Sequence, residues 1–355
     1  MSSRHKGMKR QFIPDFSEDD DIRYFSIPNK RPEHEHVTTL NLIQNKQESL
    51  SVEIMNVFQQ NKQTDSQYQL RQNLRSCLQT IFIQVFPKCS LHLVGSSSNG
   101  FGSSTADADM CLMLTDDTIC QRTESINLLR LIQRSMRELS FAYFPFVIRA
   151  KVPILRFTDR ISGLSVDLNL NNPAGIQNTR LIKAFSTKDI RVQPLGIVIK
   201  LWAKSNKIND ASQQTLSSYS LIMMTLHFLQ YVCNPPVIPV LDVDDDTTWL
   251  NDWDSANHEP LGVLFVKFLR YYSETFNYDR SVISVRLGQV LSRVPNKYPR
   301  SQGNLFCIEE PFELTNVARG VHNVDRFKEI KVVFQRSLKM ILRYRSLSCI
   351  MPLKT

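Results

Sequence analysis

The sequence predicts an α+β protein in which a mixed α/β unit is followed by a mostly helical unit. Between residues 90 and 170, short apolar runs have the length and texture of strands, with one helical segment among them: Ser90–Val94, Met110–Leu114, Ser125–Leu139 (the helix), Lys151–Phe157 and Leu164–Leu170. Beyond Gly175, apolar residues recur at helical spacing, over Arg180–Phe185, Pro194–Ser205, Ser217–Tyr231, Leu261–Thr275 and Arg326–Leu342. This order of elements is typical of two adjacent units.

Two further helices are expected before the first strand. Apolar residues recur at helical spacing over Glu48–Phe58 and again over Gln67–Phe86. Residues 1–36 lack an apolar period and carry seven Lys or Arg against seven Asp or Glu. We therefore expect a flexible polar tail at 1–36. N-terminal helices at 37–78 would pack on the later helical unit, the α/β unit would cover 79–182, and the helical unit would cover 183–355.

The composition is that of a globular protein with a basic excess. Hydrophobic residues make up 42% of the 355 residues and charged residues 22%, and no run approaches the roughly 20 apolar residues of a bilayer span. The first residues lack the apolar core of a signal peptide, so we expect an intracellular protein. The net charge of +9 favours a polyanionic partner such as a nucleic acid.

Three aspartates form the strongest chemical signal in the chain. Asp107 and Asp109 directly precede the apolar run Met110–Leu114. Residues two apart in a strand share a face, and paired carboxylates repel unless a cation lies between them, although two loop-end aspartates in water would give the same pattern. Asp167 favours a metal site, because Leu164–Leu170 alternates strictly and turns Asp167 away from its apolar face. Three carboxylates can hold two Mg²⁺ ions, which suits an in-line displacement at phosphorus.

Two further segments suit phosphate binding. The turn Gly95–Gly102 follows an apolar strand and is rich in Gly and Ser, so its backbone N–H groups can approach an anion. It is neither a Walker A loop nor a dinucleotide fingerprint, and an ordinary surface turn has the same composition. Lys200 and Lys204 lie four apart on the predicted helix Pro194–Ser205 and share a face. A triphosphate between them would relieve their repulsion, but a solvated face also accommodates two lysines.

Several ordered motifs make the sequence resemble one enzyme family. They are Asp167–Asn172 (DLNLNN), Gly175–Thr179 (GIQNT), Ile208–Ser212 (INDAS), Thr215–Ser220 (TLSSYS) and Glu309–Phe312 (EEPF). The chain resembles the cytoplasmic regulatory poly(A) RNA polymerases of the germline-development-defective type, in the nucleotidyltransferase superfamily that includes DNA polymerase beta. The resemblance runs from Ser51 to the C-terminus. It implies an α+β fold with a nucleotidyltransferase palm, a mixed sheet with helices, joined to a mostly helical poly(A)-polymerase central domain.

The resemblance also implies roles for named residues. The catalytic, metal-binding residues would be Asp107, Asp109 and Asp167, holding two Mg²⁺ or Mn²⁺ ions. The nucleotide-binding residues would be Gly95, Ser96, Gly175, Asn178, Thr179, Lys200, Lys204, Ser218, Tyr219, Glu310 and Glu313. Among them Asn178 and Thr179 would hold the ribose of ATP. Tyr219 would stack on the base, although a core tyrosine is an alternative interpretation.

The segment after the EEPF motif bears on the choice of base. Related uridylyltransferases carry an extra histidine before the following N-V-x-R motif, and Glu310–Arg319 has none. We therefore expect a template-independent poly(A) polymerase that adds AMP from ATP to RNA 3′ ends. The alternatives are a terminal uridylyltransferase, an inactive RNA or protein scaffold, and a phosphodiesterase with the same metal pair.

Partners and location follow from what the sequence lacks. It shows no RNP-like strand, KH loop or zinc finger, so the chain should bind RNA weakly by itself. We expect a separate RNA-binding protein to recruit it to mRNA, with the chain a monomer within that heteromeric complex. We expect no membrane partner and a cytoplasmic location, with nuclear entry left open.

Overall fold

The computed structural model describes residues 48–114, 123–138, 142–294, 297–299 and 302–352. The expected tail at residues 1–36 lies outside the described residues. None of the helices in the described ranges has the length and hydropathy needed to cross a bilayer.

Helices and strands alternate first and helices dominate later. Helix α1 covers the described residues 48–61. The other elements follow in chain order: α2 (Asp65–Val85), β1 (Ser90–Leu93), β2 (Ala108–Met113), α3 (Glu124–Glu138), β3 (Ala142–Ile148), β4 (Ile154–Asp159), β5 (Ser165–Leu170), α4 (Pro173–Ser186), α5 (Val192–Ser205), α6 (Ser218–His227), α7 (Leu261–Arg270), β6 (Ser281–Ser284), β7 (Gln289–Ser292) and α8 (Val324–Tyr344). Wider π-helical turns at Phe228–Val232 and Tyr271–Thr275 prolong α6 and α7.

A five-stranded sheet has the strand order β1-β2-β5-β4-β3. β2 and β5 run parallel, and the other three neighbouring pairs are antiparallel. One face packs on α2 and α3, because alternate apolar side chains point toward these helices. Those of β4 and β5 are fully buried: Leu155, Phe157, Val166, Leu168 and Leu170. The opposite face, called here the open face, carries the polar positions of the same strands.

The helices after β5 form a second core, which α1 joins. Trp202 of α5 is fully buried, and the edge of its ring packs on Phe334 of α8 with centroids 4.8 Å apart. Its indole N–H donates to Ser337 Oγ at 3.0 Å. α4 belongs to this core through Leu181 and Phe185, although it begins directly after β5. The helix therefore connects the sheet to the helical unit.

The sequence-predicted elements are present, and four features differ from expectation. Strand β3 was not predicted, because a bulge breaks its period of two. The β6–β7 hairpin was not predicted either, because its strands have only four residues each. α2 packs on the sheet through Leu74 and Leu78, so residues 65–78 lie on the α/β unit, whereas α1 packs on the helical unit as expected. The expected boundary between 182 and 183 falls inside α4.

Replacing Gly196 by Ala should lower the free energy of unfolding by about 1–3 kcal/mol, although alanine favours helices over glycine by about 1 kcal/mol. A Cβ here in α5 would lie 2.4 Å from Cε1 of Phe101, whose ring is fully buried, so the ring or the helix would have to shift. Gly320→Ala is the matched control, because its Cβ would meet no atom closer than 3.6 Å. Urea unfolding followed by circular dichroism compares them, and equal stability would contradict this contact.

Candidate active site

Strand pairing brings the predicted aspartates together on the open face. In the parallel β2–β5 pair, Asp109 and Asp167 are direct partners across the two strands. Asp107 immediately precedes β2. The pKa of Asp109 is raised to about 7, mainly by burial and then by the charges of Asp167 and Asp107, whose effect exceeds the opposing effect of Lys200 and Arg156. The site therefore concentrates negative charge.

The turn after β1 packs against these carboxylates. Gly95 has a φ of +60°, and a Cβ there would lie 2.8 Å from Asp109 Oδ2, so both the backbone conformation and the space require glycine. The Ser97 hydroxyl donates to the Asp107 carbonyl at 3.1 Å and accepts the Asp109 N–H at 3.3 Å. The turn thus fixes the backbone at both aspartates of β2.

The same turn is tied to α4. The N–H of Gly95 donates to Thr179 Oγ1 at 2.8 Å, and that hydroxyl donates to the Gly175 carbonyl at 2.7 Å. Thr179 is buried, so its hydroxyl joins two of the other predicted nucleotide-binding positions. The backbone of Ser96 packs tightly against Gly102, because a Cβ added at Gly102 would lie 2.6 Å from the Ser96 carbonyl oxygen.

An arginine that the sequence did not single out lies among the aspartates. Arg156 of β4 is the cross-strand partner of Asp167. Its Nε and Nη2 atoms donate to the two carboxylate oxygens of Asp167 at 2.6 and 2.5 Å, and Nη2 lies 3.7 Å from Asp107 Oδ2. A polar residue between Leu155 and Phe157 was the available signal, because it marks the open face of β4.

The two predicted phosphate-binding lysines lie beside this cluster. Burial lowers the pKa of Lys200 to about 8, and the charge of Lys204 lowers it too, while Asp109 acts in the opposite sense. The Lys200 ammonium donates to the Phe101 carbonyl at 2.8 Å. Lys204 is exposed. Lys200 is therefore close enough to both Asp109 and Lys204 for their charges to act on it.

A second cluster forms where α4, α6 and residues 309–313 meet. Asn178 Nδ2 donates to Glu310 Oε1 at 2.5 Å, and the Tyr219 hydroxyl donates to Asn178 Oδ1. Burial, then the charge of Glu310, raises the pKa of Tyr219 well above its ordinary value. Glu310 also accepts the N–H groups of Phe312 and Glu313. Three predicted nucleotide-binding residues from distant parts of the chain therefore share one network.

The remaining predicted residues lie at its margin. The Glu313 carboxylate pairs with Lys151, on the segment between β3 and β4, at 3.0 Å. This ion pair is half exposed and bridges the sheet unit and the helical unit. Ser218 is exposed, and its hydroxyl donates to Asn209 Oδ1 at 3.2 Å.

Comparison with known proteins identifies the family of the chain. Residues 50–187 match the family described as "Poly(A) RNA polymerase, mitochondrial-like, central palm domain", and residues 260–316 match "Cid1 family poly A polymerase". The chain is 40% identical to poly(A) RNA polymerase GLD2 of Danio rerio, covering 86% of this chain and 65% of that protein. It is 36% identical to GLD2 of Homo sapiens, covering 86% and 67% respectively. The chain belongs to the GLD2 family of poly(A) RNA polymerases.

A solved structure supports the same assignment. The GLD2-family chain is similar to the "structure of GLD-2/RNP-8 complex", with 36% identity and a TM-score of 0.76, covering 87% of this chain and 99% of that chain. It spans 65% of the length of the Danio rerio relative and 63% of that of the Xenopus tropicalis GLD2.

The three aspartates of this GLD2-family chain fit a hard divalent cation. Carboxylate oxygens are the ligands that Mg²⁺ and Mn²⁺ prefer, and the like charges that raise the pKa of Asp109 would be offset by a cation. Within the described ranges, no three acidic, His or Cys side chains are already arranged to chelate one ion. Both oxygens of Asp167 accept from the Arg156 guanidinium, so at least one of these hydrogen bonds would have to give way to a metal ligand.

A large groove borders the site but does not contain the three aspartates. This groove of about 1310 Å³ lies along α4 and is lined by Thr179, Arg180, Lys183, Trp249 and Leu250, among others. It shares Thr179 with the predicted nucleotide-binding residues. The carboxylates of the open face, and not cavity size, therefore identify the catalytic centre.

The affinity for Mn²⁺ should fall as the pH is lowered from 7 to 5.5, by about tenfold per unit well below the pKa of Asp109. Because that pKa is raised to about 7 without metal, the side chain is protonated below pH 7, and an ion must displace the proton. Electron paramagnetic resonance of free Mn²⁺ measures the binding. Asp109→Asn should bind weakly with little change across this range, whereas pH-independent affinity in the parent chain would contradict the assignment.

Proposed function

We propose that this chain is a template-independent poly(A) polymerase that transfers AMP from ATP to the 3′-hydroxyl of RNA. The observation that carries the proposal is the in-register pair of Asp109 and Asp167, with Asp107 beside them and Lys200 close enough to Asp109 for attraction. Membership of the GLD2 family supports this reaction over the other chemistries that three carboxylates can perform.

One group of residues would bind the metal ions and a second group would bind the triphosphate. Asp107, Asp109 and Asp167 would hold two divalent ions, Mg²⁺ or Mn²⁺. When bound, such ions activate an attacking hydroxyl and offset the charge that develops on pyrophosphate. Lys200 and Lys204 would bind the triphosphate, whose charge would relieve their repulsion. Gly95 and Ser96 would lie against the phosphates, with the N–H of Ser96 free to contact their oxygens because that of Gly95 already donates to Thr179, and Ser218 would reach the phosphates from α6.

The hydrogen-bonded network of Asn178, Tyr219 and Glu310, together with Thr179, would bind the sugar and the base. Asn178 and Thr179 would hold the ribose, with Gly175 supporting Thr179 through its carbonyl. Tyr219 would stack on the base, and Glu310 and Glu313 would lie at its edge. Adenine is favoured because Glu310–Arg319 lacks the histidine of related uridylyltransferases. His322 lies six residues beyond Asn316, is exposed and is packed beside Gly303, and we propose that it does not replace that histidine.

We also propose that the chain works in the cytoplasm as a monomer within a complex with an RNA-binding protein. The relative in the solved structure is a GLD-2/RNP-8 complex. The net charge of +9 supports attraction to RNA but supplies no sequence preference. Cell fractionation and co-purification of an RNA-binding protein test these statements.

Extension of a labelled oligo(A) with Mg²⁺ and one nucleoside triphosphate at a time tests the reaction. The parent chain should elongate mainly with ATP. Asp107→Ala combined with Asp109→Ala should lower the rate by at least about a hundredfold, because removal of two carboxylates abolishes the metal site. Asp242→Ala combined with Asp244→Ala is the matched control, since it removes two exposed aspartates with the same spacing from a distant loop.

Each outcome separates the alternatives. Elongation mainly with UTP would keep the chemistry and overturn the base assignment. Full activity in the Asp107, Asp109 double variant would overturn the metal site. No elongation with any nucleotide, even with a candidate RNA-binding partner added, would favour the scaffold.

A further inference from the structure

One row of side chains crosses the open face from the aspartates to the sheet edge. Successive strands pair Asp109 with Asp167, Asp167 with Arg156, and Arg156 with Phe146 of β3. Direct partners on neighbouring strands point to the same face. An aromatic side chain therefore lies on the same face as the catalytic aspartates, at the edge strand.

A bulge in β3 adds a second aromatic residue to this face. Tyr143 and Phe146 are three residues apart, so a regular strand would turn them to opposite faces. The register shifts between them, and Tyr143 pairs with Thr158 while Phe146 pairs with Arg156. Phe144 occupies the bulge with a left-handed φ of 49°. Bulges of this kind re-aim side chains beside active sites.

The two rings are exposed and have cations beside them. Tyr143 is 45% exposed and Phe146 is 46% exposed. The Arg160 guanidinium lies over the Tyr143 ring, 4.4 Å from its centroid. Arg156 neighbours Phe146 across the strand pair. Exposed aromatic rings interleaved with arginines are typical of surfaces that bind single-stranded nucleic acid, where bases stack on the rings and phosphates meet the cations.

We propose that Tyr143 and Phe146 form an acceptor platform, on which the last bases of the RNA stack while its 3′-hydroxyl reaches the aspartates. This inference rests on the proposed polymerase function and adds the binding site for its acceptor. RNA fits better than a protein partner, because the platform continues directly into the catalytic row and the positively charged Arg160 lies over its Tyr143 ring. A protein-docking surface needs no such continuity.

Strand spacing sets which nucleotides reach the platform. Neighbouring strands lie about 4.8 Å apart, so Phe146 on β3 is about 10 Å from Asp167 on β5. Stacked nucleotides advance about 3.4 Å each, which places the platform at about the third nucleotide from the 3′ end. A dinucleotide acceptor is too short to use it.

Full-length Tyr143→Ala and Phe146→Ala variants test the platform, each with two acceptors, an oligo(A) of two nucleotides (A2) and one of about 15 nucleotides (A15). With A15, the KM for RNA should rise about tenfold or more, while the KM for ATP and the rate with A2 stay unchanged. Phe146→Trp should retain the parent KM. Tyr344→Ala is the matched control, because Tyr344 is also an exposed tyrosine, 56% accessible, with an arginine, Arg343, over its ring at 5.3 Å. Fluorescence anisotropy with labelled A15 measures binding without catalysis.

The outcomes separate this inference from the proposed function. An inactive parent chain would reject the polymerase function, whereas an active parent with unchanged KM and A15 affinity in both alanine variants would overturn the platform alone. Equal losses with A2 and A15 would also overturn it, because the rings would then act at the catalytic centre. Variants that bind A15 normally but lose stimulation by an RNA-binding partner would assign the surface to protein docking and overturn the RNA platform.

Discussion

The repulsion among three carboxylates on one sheet face is the constraint that the rest of the structure accommodates. The parallel pairing of β2 and β5 brings Asp109 beside Asp167, although their charges oppose this approach. The opposite face of the strands holds the register, because Met110, Val166 and Leu168 are fully buried there. A slip of one residue would bury the aspartates and expose the core, so hydrophobic packing determines the geometry of the charged site.

Cations from several elements offset part of this charge. Arg156 of β4 engages Asp167, and Lys200 of α5 is attracted to Asp109. Arg71 of α2 is a third, fully buried, and its guanidinium donates to the Gln67 carbonyl at 3.1 Å and to the Ala106 carbonyl next to Asp107. Burial lowers the pKa of Arg71, and the nearby aspartates raise it. Both units of the protein thus contribute to one electrostatic balance.

Two patterns in the sequence located the aspartates: Asp107 and Asp109 lie two residues apart before an apolar run, and Asp167 occupies a polar position of an alternating strand. The polar positions of β5 predicted the open face, and the strand pairing confirmed that Asp167 lies beside Asp109. Strand β3 was not predicted because its bulge removes the alternation of polar and apolar residues. Tyr143 and Phe146 were therefore not recognised as residues of the open face. Arg71 was not predicted because its burial depends on the loop before Asp107, which reaches α2 only in the folded chain. Contacts between distant segments, such as Asn178 with Glu310, likewise required the structure.

Diffraction from crystals soaked with Mn²⁺ and a non-hydrolysable ATP analogue tests the metal site most directly. The account predicts two anomalous peaks about 3.5–4 Å apart, bound by Asp107, Asp109 and Asp167, with the Arg156 guanidinium withdrawn from at least one Asp167 oxygen. An ion bound elsewhere, or none at these carboxylates while the nucleotide is present and Arg156 still holds Asp167, would contradict it.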